Sequence, residues 1–348
     1  MAFYFRKGEA QQGDNTFEWT HKSFGEYLIA RRLIRLTDTL ADERQRAKQT
    51  PGRGIQHPEA LETLIKTTAR IELNDNIKDF IASILHQNIN DKTLTEEKLT
   101  KEKLNHYQTL LVDCINSALA GPLEMTQYLP GESFANLCQF EANSISCIFM
   151  LHSQIATITE QEEKEKEKLN LPHRDSFKTL YQRLTAQSNT WLFRHSLTHL
   201  TLSDQNFNGL NLNQTNFSHC LFINTHFRLS LIMYSLFKHC KLQRSYFIET
   251  KLKQVDFTHS NLTDAQFIES KLYVINFTDS QLASSDFKDI IDQGEHRGLN
   301  TCHDLHLVYN IPDDWQQYSK YIKTKERQPA DTAASSAQRQ IKHKVIES

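Results

Sequence analysis

From Leu202 to Phe287 a large apolar residue recurs at every fifth position without a break. The run reads Leu202, Phe207, Leu212, Phe217, Phe222, Phe227, Ile232, Phe237, Leu242, Phe247, Leu252, Phe257, Leu262, Phe267, Leu272, Phe277, Leu282, Phe287. A period of five fits neither the 3.6 of a helix nor the 2 of an ordinary strand. A short fixed period predicts units that bury their side chains only by stacking on their neighbours, which is a solenoid. Two residues ahead of each centre the side chain is mostly small: Thr215, Cys220, Thr225, Ser230, Ser235, Cys240, Ser245, Thr250, Ser260, Ala265, Ser270, Ser280, Ser285. A narrow tube requires that alternation, because a second bulky residue beside each centre would overfill the core. Leu200, Gln205, Leu210, Val255 and Ile275 depart from it.

Segments such as NLTDAQF (261–267) and QLASSDF (281–287) resemble the pentapeptide-repeat family, over about residues 192–290. The resemblance implies a right-handed quadrilateral parallel β-helix of twenty residues per coil. Residues twenty apart would then stack. Phe207, Phe227, Phe247, Phe267 and Phe287 form one column, and Phe217, Phe237, Phe257 and Phe277 another. Leu and Ile fill the two remaining faces, with Phe222 as the single exception. The whole chain is expected to be α+β and multidomain: an α-helical region followed by this pentapeptide-repeat solenoid.

Upstream the apolar period changes. AFYF and TFEWT flank a polar turn and predict a hairpin within residues 1–20. A helix follows, with Ser23 as its expected N-cap and Phe24, Tyr27, Leu28, Leu33 and Ile34 as apolar positions. Pro51, Gly52 and Gly54 mark a loop. Helical patterns then cover 58–88, 94–120, 133–158 and 175–190, with Gly121-Pro122 stopping the second. The run EQEEKEKEK (160–168) reads as a solvated helical face or linker. The expected organisation is 1–36, a winged-helix remnant; 37–190, helical; 191–290, β-helix; 291–322, a cap; and 323–348, a disordered tail.

FEWTHKSFGEYLIARRL (17–33) resembles the end of the winged-helix region of NACHT-type STAND NTPases, with His21, Lys22, Ser23, Phe24, Glu26, Tyr27, Leu28 and Ala30 matching. Bacterial proteins of that type often continue into a helical segment and a repeat array, and this order is the same. The resemblance implies an upstream nucleotide-binding domain. No GxxxxGK[ST] loop occurs here, and ten glycines leave little material for one. The chain is therefore expected to be the sensor-side half of such a protein, or a split or truncated product of one, without NTP hydrolysis of its own.

Composition narrows the partners. Forty Lys and Arg against 42 Asp and Glu give a net charge of −2, with no field favouring nucleic acid or a membrane. Residues 198–289 carry eight basic and eight acidic side chains, too balanced a rod to mimic DNA. Six scattered cysteines without a CxxC predict free thiols in a reducing cytoplasm. No signal-peptide core and no apolar run of about 20 residues occurs.

Candidate sites are few. His199, His219, His239 and His259, followed by Asp279, fall two residues after a centre in one outward column. His219, His239 and His259 are metal candidates, yet rungs stack too far apart for shared ligation, so no metal is assigned. Cys220 and Cys240 share an inward column and are read as thiols filling space. Lys241, Arg244, Lys251 and Lys253 form a basic cluster able to touch an anion. The second coil carries apolar residues at outward positions: Leu221, Ile223, Leu229, Leu231, Met233, Tyr234 and Leu236. Such a band marks a contact, made either by the helical region or by a partner or second copy. No nucleophile–base spacing, carboxylate pair or HExxH is present, so neither a catalytic residue nor a cofactor site is expected. The function expected is a non-catalytic interaction or sensor module, with a protein or an upstream NTPase domain as partner. The alternative is a free-standing scaffold or effector that binds a cellular protein.

Overall fold

Helix breaks in the N-terminal part fall where a side chain captures backbone that a continuous helix would need. The computed structural model describes residues 21–50, 52–90, 99–159, 169–187, 191–302 and 304–318. The predicted hairpin, the charge run and the predicted tail lie outside them. The chain divides into two compact units, Met1–Thr201 and Leu202–Ser348.

The first unit is helical: α1 (His21–Gln49), α2 (His57–Thr68), α3 (Asp75–Asn90), α4 (Lys101–Ala120), α5 (Met125–Tyr128), α6 (Phe134–Thr159), α7 (Ser176–Thr185) and α8 (Trp191–His195). The helix expected over 58–88 is two helices. Asn74 Oδ1 accepts the Ile77 amide at 3.1 Å and so caps α3, while its Nδ2 donates to Glu26 Oε1 at 2.6 Å. Ser23 is not an N-cap, because the helical backbone already runs from His21. The helix expected from residue 94 begins at Lys101, where Thr100 accepts the Lys103 amide at 3.1 Å. α4 packs on α6, and α1 packs on α3 and α4. α6 is the centre of the core, burying Ile145, Ile148, Phe149, Met150, Leu151 and Ile155.

The second unit is a parallel solenoid. Strands β1 (Leu231–Met233), β2 (Lys251–Lys253), β3 (Lys271–Tyr273) and β4 (Ile291–Gln293) form a sheet in that order, each residue pairing with the one twenty further on. Three further ladders of single bridges keep the same offset, as in Asn206↔His226, Leu236↔Asp256 and Leu221↔Lys241. Every apolar centre from Leu202 to Phe287 is buried. Phe227 and Phe247 stack with centroids 4.8 Å apart and planes within 2°, and Phe247 meets Phe257 of the neighbouring column edge-on at 5.8 Å. Both geometries favour the ring quadrupole.

The small register does more than fit. Thr225, Ser230, Ser235 and Thr250 donate their hydroxyls to the carbonyl of the centre 23 residues earlier, at 2.5–3.1 Å. The Cys240 thiol makes the same bond to Phe217 at 3.0 Å. Each coil is thereby riveted to the one before it.

The residue two after every centre has a positive φ, between 50° and 70°. Only Gly209 among them is a glycine. Asn and Asp adopt this conformation readily, whereas for a β-branched residue such as Val274 (φ 55°) it is strained. The constraint turns the chain at each corner and places these side chains on the edges of the solenoid.

The apolar series ends at Phe287. The next centre is Asp292, paired with Leu272 in the β3–β4 register. Beyond it the offset grows to 21 at Asn276↔Arg297 and 23 at Asp286↔Tyr309. 3-10 turns follow at Leu299–Thr301, Leu305–Leu307 and Asp313–Tyr318. The last buries Trp315 against Phe287 (4.9 Å), Phe277 (5.7 Å) and His296 (5.3 Å).

Candidate interaction face

The β1–β4 ladder shows solvent a different chemistry from the other three. Its positions before the centre are Leu231, Lys251, Lys271 and Ile291, and those after it Met233, Lys253, Tyr273 and Gln293. Tyr234, Gln254 and Val274 occupy one bordering corner, and Leu229, Glu249, Glu269 and Asp289 the other. Four large apolar side chains stand open here: Leu229 (59% exposed), Tyr234 (49%), Ile291 (45%) and Val274 (40%).

The seven residues read from the sequence as an outward band wrap around one coil and do not share a face. Leu221 bridges to Lys241 on one ladder, Leu231 and Met233 lie in β1, and Leu236 bridges to Asp256 on another. Leu229 and Tyr234 are exposed at corners, while Leu221, Ile223, Leu231, Met233 and Leu236 are half-buried. Val274, Ile291, Lys271 and Tyr273 were missed. Reading the outward registers down columns twenty apart would have found them.

This coil also gives up a local bond. In other coils the residue before a centre is often Asn or Asp, whose side chain accepts the amide two residues on, as Asn211 does from Asn213 (3.2 Å) and Asp256 from Thr258 (3.0 Å). Leu221 and Leu231 have no side-chain acceptor with which to do this. The amides at Ile223, Arg228 and Met233 are taken instead by Ser203, Asn208 and Asn213 of the preceding coil, at 2.7–3.2 Å. The apolar substitutions are thus tolerated because the coil beneath satisfies their backbone.

The basic cluster is corrected by the register. Lys241 lies on the Leu221–Asn261 ladder and Arg244 at its corner, whereas Lys251 and Lys253 lie in β2, two ladders further round. Lys271 joins β2's lysines instead. Lys251 Nζ sits 6.0 Å from the Tyr273 ring centre and Lys253 Nζ 5.7 Å from that of Tyr234. None of these three lysines forms an ion pair among the described residues. Arg228 takes Glu249 at 2.6 Å.

The histidines form a stack. His219 and His239 lie 4.8 Å apart with planes within 10°, His239 and His259 4.9 Å apart, and His259 Nδ1 is 3.7 Å from Asp279. Parallel rings aim their nitrogen lone pairs side by side, not at one point, and no group of three or more His, Cys, Asp or Glu among the described residues is placed to hold a metal. Burial, then the neighbouring His259 and Lys238, hold His239 below the ordinary histidine value. His199 belongs to the other unit, where its Nδ1 meets Thr198 Oγ1 at 3.0 Å.

Cys220 and Cys240 are buried free thiols. Burial pushes the thiols of Cys114, Cys147 and Cys302 up to about 12, which removes them as nucleophiles. A serine and histidine do meet in the helical unit, Ser117 Oγ and His57 Nε2 at 2.7 Å. His57 Nδ1 is buried without a partner, and Asp113 is engaged by Arg44 at 3.1 Å, so nothing orients the imidazole as a base. Glu26 is 4% exposed and held by Asn74 and Asn76, which gives it a packing role. No helix among the described residues is long and apolar enough to cross a membrane.

This geometry defines a parallel β-solenoid with twenty-residue coils. Residues 240–279 match the family model of pentapeptide repeats, in 8 copies, and this segment is a pentapeptide-repeat solenoid. Among solved structures the chain is similar to HetL, a pentapeptide repeat protein involved in heterocyst differentiation regulation from the cyanobacterium Nostoc sp. strain PCC 7120 (16% identity, 26% of this chain and 40% of that one, TM-score 0.18). It thus spans well under two thirds of HetL. It is also similar to a pentapeptide repeat protein from the Arabidopsis thaliana thylakoid lumen (23%, 32% and 75%, TM-score 0.22). A third is QnrB1, a plasmid-mediated fluoroquinolone resistance protein (13%, 41% and 88%, TM-score 0.20). No curated protein matches the chain.

Proposed function

We propose that this chain is a non-catalytic protein-interaction module whose solenoid, a right-handed quadrilateral β-helix, presents the β1–β4 face to a partner. The observation that carries this reading is the set Leu229, Tyr234, Val274 and Ile291, exposed together along one ladder whose backbone is locked by parallel pairing. Exposed apolar groups on a rigid frame lose little entropy on binding, so the burial gained is retained as affinity. The unoriented Ser117–His57 pair and the high-pKa thiols support a chain without catalysis. The partner is a protein of a bacterial cytoplasm. The match of residues 21–30 to the NACHT-type pattern supports a place on the sensor side of such an NTPase. A free-standing scaffold is favoured if no P-loop domain is encoded beside it.

Affinity capture by the full chain, compared with a Leu229→Asp/Tyr234→Asp variant of unchanged melting temperature, tests the reading. Loss of the captured protein in the variant is expected. The same proteins captured by both forms would remove this face as the contact.

A further inference from the structure

We infer that the β1–β4 face binds an acidic polypeptide segment with apolar side chains interspersed among its carboxylates. The inference rests on the interaction reading above and adds the chemistry of the partner.

Lys251, Lys253 and Lys271 occupy the middle of the face on adjacent strands, and none forms an ion pair among the described residues. Two of the amines lean over tyrosine rings, Lys251 at 6.0 Å from Tyr273 and Lys253 at 5.7 Å from Tyr234. A cation over a ring face still has N–H donors to offer a third group, since an ammonium carries three. Two cations elsewhere on the solenoid are taken by carboxylates: Arg228 by Glu249 at 2.6 Å, and Lys238 by Asp256 at 3.1 Å. The three lysines of β2 and β3 stand between apolar residues: Leu231 and Met233 one strand away on β1, Ile291 one strand away on β4.

Such an alternation fits a mixed ligand. Carboxylates of an extended or helical segment would meet the lysine rows while its apolar side chains cover Leu229, Tyr234 and Val274. A nucleic acid fits worse. Its affinity comes from neutralising many phosphates, and three lysines bordered by Glu249, Glu269 and Asp289 offer few. Complementary charges across such a face set partner choice and association rate more than total affinity.

The test is selection of a random twelve-residue peptide display library on the full chain and on a Lys251→Glu/Lys253→Glu/Lys271→Glu variant. Peptides enriched on the wild type are expected to be net acidic with at least one large apolar residue. They should bind the variant at least tenfold more weakly and lose affinity with salt. Replacing their acidic residues with lysine should restore binding to the variant. Enrichment of neutral or basic peptides, no enrichment over the variant, or equal binding to both forms would overturn the inference. So would tighter binding to a single-stranded oligonucleotide or to phosphatidylserine vesicles that disappears in the same variant. If Leu229→Asp/Tyr234→Asp still abolishes protein capture while charge reversal does nothing, only the acidic character of the partner falls.

Discussion

Asp292 stands at the inward position that follows Phe287, and its Oδ2 accepts the indole N–H of Trp315 at 2.7 Å. Its other oxygen bonds His296 Nε2, while His296 Nδ1 accepts the Ile275 amide at 2.8 Å. One carboxylate therefore ties the closing tryptophan and a buried imidazole to the last strand. Asp292→Ala and Trp315→Ala should each destabilise the solenoid by about 2–4 kcal/mol, since each leaves buried donors or a cavity behind. The double variant should lose less than the sum, because the two act through one bond. Urea denaturation of the three variants measures this, and strict additivity would separate the two residues.

Phe247 lies between Phe227 (4.8 Å) and Phe267 (4.9 Å) in its column. Phe247→Ala should cost about 3–5 kcal/mol, and Phe247→Leu about 1.5 kcal/mol or less. A similar cost for both, read from denaturation midpoints, would contradict a close-packed column.

Val274 is a β-branched residue at φ 55°, with Gly294 of the next coil against its side chain. Val274→Asn should raise stability by about 1 kcal/mol, because Asn relieves the left-handed strain. The same change should weaken partner capture, since the apolar side chain lies on the proposed face. Greater stability with undiminished capture would show that the strain serves nothing at this face.

His239 binds its proton less readily in the folded solenoid than in the unfolded chain, whose histidines titrate near about 6.5. Above that pH both states are neutral and stability is unaffected. As pH falls through it the unfolded state gains a proton that the folded state lacks, so stability falls until the pH passes the folded value. His219, His259 and Lys238 surround the ring, and Asp279 faces only His259. Between pH 8 and pH 5.5 the wild type should lose more stability than His239→Asn. Equal losses in denaturant titrations would assign the pH response to other groups.

The solenoid was readable because its period is a packing rule repeated in every unit. The Phe and Leu columns, the twenty-residue offset and the thiols of Cys220 and Cys240 follow from it. What the period hid was hydrogen bonding. The Ser and Thr register reads as small, yet Ser230 and Thr250 also rivet successive coils. The positions two after each centre read as merely outward, yet all turn through positive φ, which no composition rule reveals when only Gly209 is a glycine. The helical unit was less readable because its boundaries depend on distant partners. Asn74 breaks a helical pattern by capping α3 while it donates to Glu26, 48 residues away in sequence. The candidate face was half visible, for Leu229 and Tyr234 stand out within one coil. Lys271, Val274 and Ile291 join them only once strands twenty residues apart lie side by side.

The constant twenty-residue offset has an evolutionary corollary. Duplicating twenty residues between Leu202 and Phe287 would insert a whole storey, with phenylalanine still landing on phenylalanine and hydroxyl still beneath carbonyl. Duplicating five would rotate everything downstream by one wall, so that phenylalanine met leucine and the lysines left their strand neighbours. Growth by gene duplication is therefore quantised in pairs of repeats for the core and in fours for the outer faces, and it must stop below Gly294, where the offset changes to 21 and then 23.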